Sequence, residues 1–110
     1  MKKYLKQGNT WIPTLTVTEN SEAYDCTGLT AKLWIKEILK ETAPEIQELD
    51  ITWIDQAGGI GFFNLTHEMS ITLLGRYWYE VILYEQLGLD IVKTLIQNRL
   101  IIGTTLEADL

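Results

Sequence analysis

Chemistry in this chain would have to begin from a short inventory, because the 110 residues contain a single histidine, His67, and a single cysteine, Cys26. His67 precedes Glu68 in NLTHEMSI, but a zinc peptidase helix needs a second imidazole four residues on, and Ile71 stands there. A lone imidazole among scattered carboxylates is a loop or helix-cap residue more naturally than a metal ligand. Ser21 and Ser70 lack the Gly-x-Ser-x-Gly setting of a hydrolase nucleophile. Cys26, in YDCTG, suits a small buried hydrophobe better than one half of a dyad with His67. Gly58, Gly59 and Gly61 are not followed by the Lys and Ser/Thr of a phosphate loop, and Phe62 and Phe63 continue a strand. The carboxylates Asp25, Asp50, Asp55, Glu68, Glu80, Glu85 and Asp90 show no spacing that marks an acid–base pair. These residues predict no enzyme, no cofactor and no metal site.

Composition narrows the class further. Hydrophobic residues are 46% and charged residues 22%, which fits a folded globular chain rather than a disordered one. The length accommodates one modest core, so residues 1–110 are expected to form a single domain. A net charge of −6 opposes binding to nucleic acid. Lys2, Lys3 and Lys6 are a basic cluster expected to be a solvated N-terminus. No apolar run has the length of a membrane span, and MKKYLKQGNT has no apolar stretch of a secretion signal. With Cys26 unpaired, a reducing cytoplasm is the expected place of synthesis, and the sequon Asn64-Leu65-Thr66 carries no weight there.

The elements that must position any site are mostly strands. In TWIPTLTVTEN, Trp11, Pro13, Leu15 and Val17 share one face and Thr14, Thr16 and Thr18 the other, with Pro13 placing the strand at an edge. ENSEAYDCTG is a polar turn with a short extended piece. In LTAKLWIK, Leu29, Ala31, Leu33 and Ile35 point inward while Lys32, Trp34 and Lys36 point outward. A helical turn or loop over 37–43 is interrupted at Pro44, and a strand resumes from Glu45. ITWIDQAGGIGFFNLT is a hairpin whose Gly58 and Gly59 supply positive φ. HEMSITLLG is a short helical crossover, and the last strand is expected to break at Gln97–Asn98. The sum is an all-β, antiparallel, immunoglobulin-like β-sandwich with about seven strands and one or two short helical turns. LLGRYWYEV carries Leu-x-Gly-x-Tyr, the spacing of a tyrosine corner, with Tyr77 bonding back to the crossover.

One strand has two apolar faces. In GRYWYEVILYEQ, Tyr77, Tyr79, Val81 and Leu83 alternate with Trp78, Glu80, Ile82 and Tyr84. Each large side chain left wet forgoes about 1.5–3 kcal/mol of burial. The second face therefore needs a cover, either the 37–49 segment or another molecule. Trp78, Ile82 and Tyr84, with Trp34, are the expected partner-binding residues. A carbohydrate-binding sandwich that stacks sugars on Trp34, Trp53 or Trp78 is the alternative.

The order of landmarks resembles small bacteriophage proteins, including the N-terminal domains of baseplate upper proteins and related tail or fibre-attachment modules. The resemblance rests on Gly8-Asn9-Thr10 before the first strand and on the Tyr-Asp-x-Thr-Gly-x-Thr-Ala pattern of Tyr24 to Ile35. Gly58 to Ile60, Leu73 to Val81 and the closing Lys-Thr-Leu to Leu-Ile-Ile strand complete it. It implies a non-enzymatic phage or prophage virion component, partnered by other virion proteins or by itself as an oligomer. It also departs from that family in the longer Lys36–Leu49 connection, which together with the length favours a small stand-alone virion protein.

Overall fold

The structure is a computed structural model that describes residues 2–38, 45–87 and 91–103, with side chains of the last segment from 94 onward. In chain order the strands are β1 (Lys3–Lys6), β2 (Thr14–Thr16), β3 (Thr18–Glu19), β4 (Glu22–Ala23) and β5 (Leu29–Lys36). They continue with β6 (Gln47–Asp50), β7 (Thr52–Asp55) and β8 (Ile60–Phe62). Helix α1 (His67–Ser70) then leads to β9 (Gly75–Glu85) and β10 (Ile91–Gly103).

A five-stranded sheet, ordered β1-β10-β9-β5-β6, faces a three-stranded sheet, β2-β8-β7. Between them lies the core, with Leu15, Val17, Phe63 and Leu65 meeting Leu33, Ile35, Val81, Leu83, Leu100 and Ile102. Trp11 and Tyr79 meet edge to face across the layers, ring centroids 5.3 Å apart. This is the expected all-β sandwich. The expected inward faces of β2 and β5 are the buried ones, and β2 is an edge strand just after Pro13.

Local chemistry explains the turns. Asn20 and Ser21 both take positive φ, 51° and 66°, the two-residue geometry that joins β3 to β4 without splaying them. At the β7–β8 turn only Gly59 has positive φ, +72°, and a Cβ there would lie 2.7 Å from the carbonyl oxygens of Val17 and Tyr24. Gln56, in the same turn, donates to the Cys26 and Leu29 carbonyls at 3.0 and 2.8 Å, tying the hairpin to the start of β5. Tyr77 closes the expected corner. Its hydroxyl donates to the Leu74 carbonyl at 3.0 Å and accepts the Leu74 N–H at 3.1 Å.

Four expectations change. The lysine-rich start keeps Lys2 and Lys6 exposed but is also a strand: β1 pairs parallel with β10 and buries Leu5, so the five-stranded sheet is mixed. Second, the described residues hold ten strands rather than about seven, because short hairpin arms count separately. Third, β10 pairs straight through Gln97–Asn98, and two register shifts lie upstream, between Ile91 and Lys93 and between Thr94 and Ile96. Thr94 opposes Ile82 and Ile96 opposes Val81, so Leu95 is an extra residue in a bulge. Fourth, β6 begins at Gln47 rather than Glu45. The expected helical turn over 37–43 lies largely outside the described residues.

Candidate functional site

The nucleophile and metal candidates resolve into structural roles. His67 starts α1, a helix capped by the Thr66 hydroxyl, which accepts the Met69 N–H at 3.3 Å. Its Nδ1 hydrogen-bonds the Gly8 carbonyl. Beside it the Ser70 hydroxyl donates to the Asn9 carbonyl at 2.8 Å, and Gln7 Nε2 donates to the Ile71 carbonyl at 2.9 Å. The histidine thus clips the crossover to the turn after β1. Cys26 is fully buried, its thiol donates to the Tyr24 carbonyl, and burial pushes its pKa up, the reverse of what a thiolate nucleophile needs. Among the described residues no three His, Cys, Asp or Glu side chains converge as metal ligands.

Two of the clefts among the described residues border the core. One, of about 390 Å³, is lined by Val17, Thr18, Glu19, Asn20, Tyr24, Leu83 and Leu95. The other, of about 180 Å³, is mostly apolar and includes Trp11, Leu15, Tyr79 and Ile96. Among the described residues Glu19 is the only carboxylate lining either, so those residues offer neither cleft an acid–base pair.

The more informative site is the outer face of the five-stranded sheet, where the expected partner residues lie. Strand register arranges it in rows. Arg99, Trp78 and Lys36 stand side by side; the next row is Gln97, Glu80, Trp34 and Glu48; the third is Thr94, Ile82, Lys32 and Asp50. Tyr84 follows beside Thr30. Cations sit over rings: Arg99 on Trp78 and Lys36 on Trp34, each 5.1 Å from the ring centroid, and Lys32 on Tyr84 at 5.8 Å. Carboxylates link the rows. Glu80 accepts from Gln97 Nε2 at 3.0 Å and pairs with Lys36 at 3.3 Å. Glu48 accepts from the Trp34 indole at 3.0 Å and pairs with Lys32, which also lies 3.6 Å from Asp50. The Lys32 ammonium, then the indole N–H, hold the Glu48 carboxyl below the usual carboxylate range, and the same contact holds Lys32 above the usual lysine range.

The face is therefore closed to different degrees. Ile82 and Tyr84 are 3% and 8% exposed within one chain, whereas Trp34 and Trp78 are half-buried. The outward-pointing Lys36 is 1% exposed and Glu80 5%, so this side of β5 and β9 is not a solvent face at its centre. Sequence reading placed the aromatic residues on this side but missed Lys36, Glu80, Gln97 and Arg99 as their partners. The available signal was a cation two residues from Trp34 on the same strand, and a glutamate between Trp78 and Ile82. What brings them together is cross-strand register. No helix among the described residues is long and apolar enough to cross a membrane.

Comparison with known proteins gives a relation of fold. No family model matches the chain, and no curated protein matches it. Among solved structures, the N-terminal domain of phage TP901-1 ORF48 is similar in fold, with a TM-score of 0.64 and 13% sequence identity. The match covers 94% of this chain and 85% of that one. At that identity the relation is one of fold.

Proposed function

We propose that the chain is a non-enzymatic structural or adaptor component of a phage particle, as in a tail, baseplate or fibre attachment. It acts as one sandwich domain that docks to other virion proteins, further copies of itself among them. The observation that carries this reading is the shared fold with a phage protein domain over 94% of the chain. The outer face adds support. Half-buried Trp34 and Trp78 are the accessible members of the expected quartet, and Ile82 and Tyr84 are buried in the rows that follow them on the same face. Aromatic rings already oriented by Lys36 and Arg99 lose little freedom when a partner covers them. The same cations leave the carbohydrate reading weaker, because each occupies a ring face that a sugar would stack on. A glycan array with tryptophan-fluorescence titration separates the two, and an adaptor gives no sugar response.

The deciding experiment is the protein composition of purified particles from the phage or prophage that encodes the chain. The chain is expected there in fixed ratio to the other structural proteins, and a Trp34→Ser/Trp78→Ser variant, folded by circular dichroism, is expected to be depleted. Particles that are complete without the chain overturn the reading.

A further inference from the structure

The two outermost strands of the five-stranded sheet, β1 and β6, are each four residues long and carry opposite charge. Their geometry is matched in three respects. Direction comes first: β1 runs parallel to β10, and the three following pairs, β10–β9, β9–β5 and β5–β6, are antiparallel. β6 therefore runs opposite to β1. A second copy set beside the first in the same orientation presents its β6 antiparallel to β1, with inner and outer faces in line.

Backbone parity comes second. The Gln7 N–H bonds the Gly103 carbonyl at 2.7 Å, so the odd residues of β1 turn toward β10 and Lys2, Tyr4 and Lys6 turn toward the open side. The Ile51 N–H bonds the Ala31 carbonyl at 3.1 Å, so Gln47 and Leu49 turn toward β5 and Glu48 and Asp50 toward the open side. Charge comes third. Leu5 and Leu49 fill the core side, which places the side chains of Lys2 and Lys6, and of Glu48 and Asp50, on the outer face beside the free edges; of the backbone groups turned to those edges, the Lys6 carbonyl accepts the Asn9 N–H at 2.9 Å. All four are exposed. Opposite charges directly across an antiparallel pair are favourable, and like charges are not. Two β1 edges repel one another, as do two β6 edges, and the β1–β6 combination alone is attractive.

We infer that this chain self-associates head to tail, β1 of one copy pairing with β6 of the next to continue the sheet between subunits. Such a heterologous contact repeats, giving a ring where the rotation closes and an open filament where it does not. The inference rests on the adaptor reading for its setting, but its chemistry stands on the two edges.

The test is a charge exchange read by size-exclusion chromatography with light scattering on the full chain. Lys2→Glu/Lys6→Glu makes both edges acidic; Glu48→Gln/Asp50→Lys removes the acidic edge while keeping an acceptor for the Trp34 indole. Each variant, folded by circular dichroism, is expected to lose the oligomer and elute at the single-chain mass. Mixing the two is expected to restore it, since each then offers the edge the other lacks. A wild-type chain that stays monomeric, variants that assemble unchanged, or a mixture that fails to recover overturns the inference. Failure here with the chain present in particles leaves the adaptor reading standing; success here with the chain absent from particles removes the adaptor reading alone.

Discussion

The two faces of β9 are both largely hidden from water, but by different physics. On the inner side Val81 and Leu83, with Tyr77 and Tyr79, pack against the second sheet through apolar contact. That contact is non-directional and scales with the area removed from water. On the outer side Glu80, Ile82 and Tyr84 are buried next to half-buried Trp78, within a lattice of charges laid over rings. That lattice depends on which residue stands opposite which. The inner face tolerates exchange among hydrophobes of similar volume, whereas the outer face is sensitive to the loss of a single charge.

The largest effect is expected where this difference is sharpest. Glu80→Ala removes the carboxylate that meets Lys36 at 3.3 Å and Gln97 at 3.0 Å. Losing this buried ion pair together with the charge-assisted hydrogen bond from Gln97 is expected to cost about 3 kcal/mol in urea unfolding. Leu33→Ala on the inner side is expected to cost about 2–5 kcal/mol, but Leu33→Met should recover most of it, while Glu80→Gln should recover only the neutral hydrogen bond. Equal rescue by the two conservative variants would erase the distinction. A smaller effect, about 0.5–1 kcal/mol, is expected for Arg99→Ala, which uncovers the Trp78 ring and should shift tryptophan fluorescence toward the solvated value.

The smallest effect is a pH dependence confined to the outer side. Glu48 is held below its ordinary value of 4.5, chiefly by the Lys32 hydrogen bond. A carboxylate depressed in the folded state stabilises above its unfolded pKa, and that contribution disappears as pH falls through the folded value. Acid titration of wild type against Glu48→Gln should therefore show wild type losing the larger share of its stability below about pH 4.5. Parallel curves would mean that the Lys32–Glu48–Trp34 contact is too solvated to matter.

The inner side was legible in the sequence because alternation at period two is a one-dimensional signal, and Leu29, Ala31, Leu33 and Ile35 display it without interruption. Tyr77 was legible for a similar reason, since its partner Leu74 is three residues away. The outer side was half legible. Trp34 and Trp78 could be placed on it, but Lys36 reaching Glu80 joins residues 44 positions apart, which only the β5–β9 register reveals. β1 escaped notice because KYLK holds a single aliphatic residue, Leu5, and owes its pairing to backbone bonds with a distant strand. The predicted break at Gln97–Asn98 failed because Gln97 is required inside the strand, where it serves Glu80. The real irregularities sit in Ile-Val-Lys and Thr-Leu-Ile, residues with no turn character.

The bulge at Leu95 has a consequence for how the chain can change its length. Leu95 is surplus to the pairing, so deleting it would leave Thr94 opposite Ile82 and Ile96 opposite Val81 in unbroken succession. A residue lost from the middle of the stretch beyond it would instead invert the alternation from there on, sending Ile101 inward and carrying Ile102 out to water. Evolution or an engineer shortening β10 thus has its permitted positions at the two register shifts, Val92 and Leu95, and both lie before Asn98, where the polar residues would have suggested cutting.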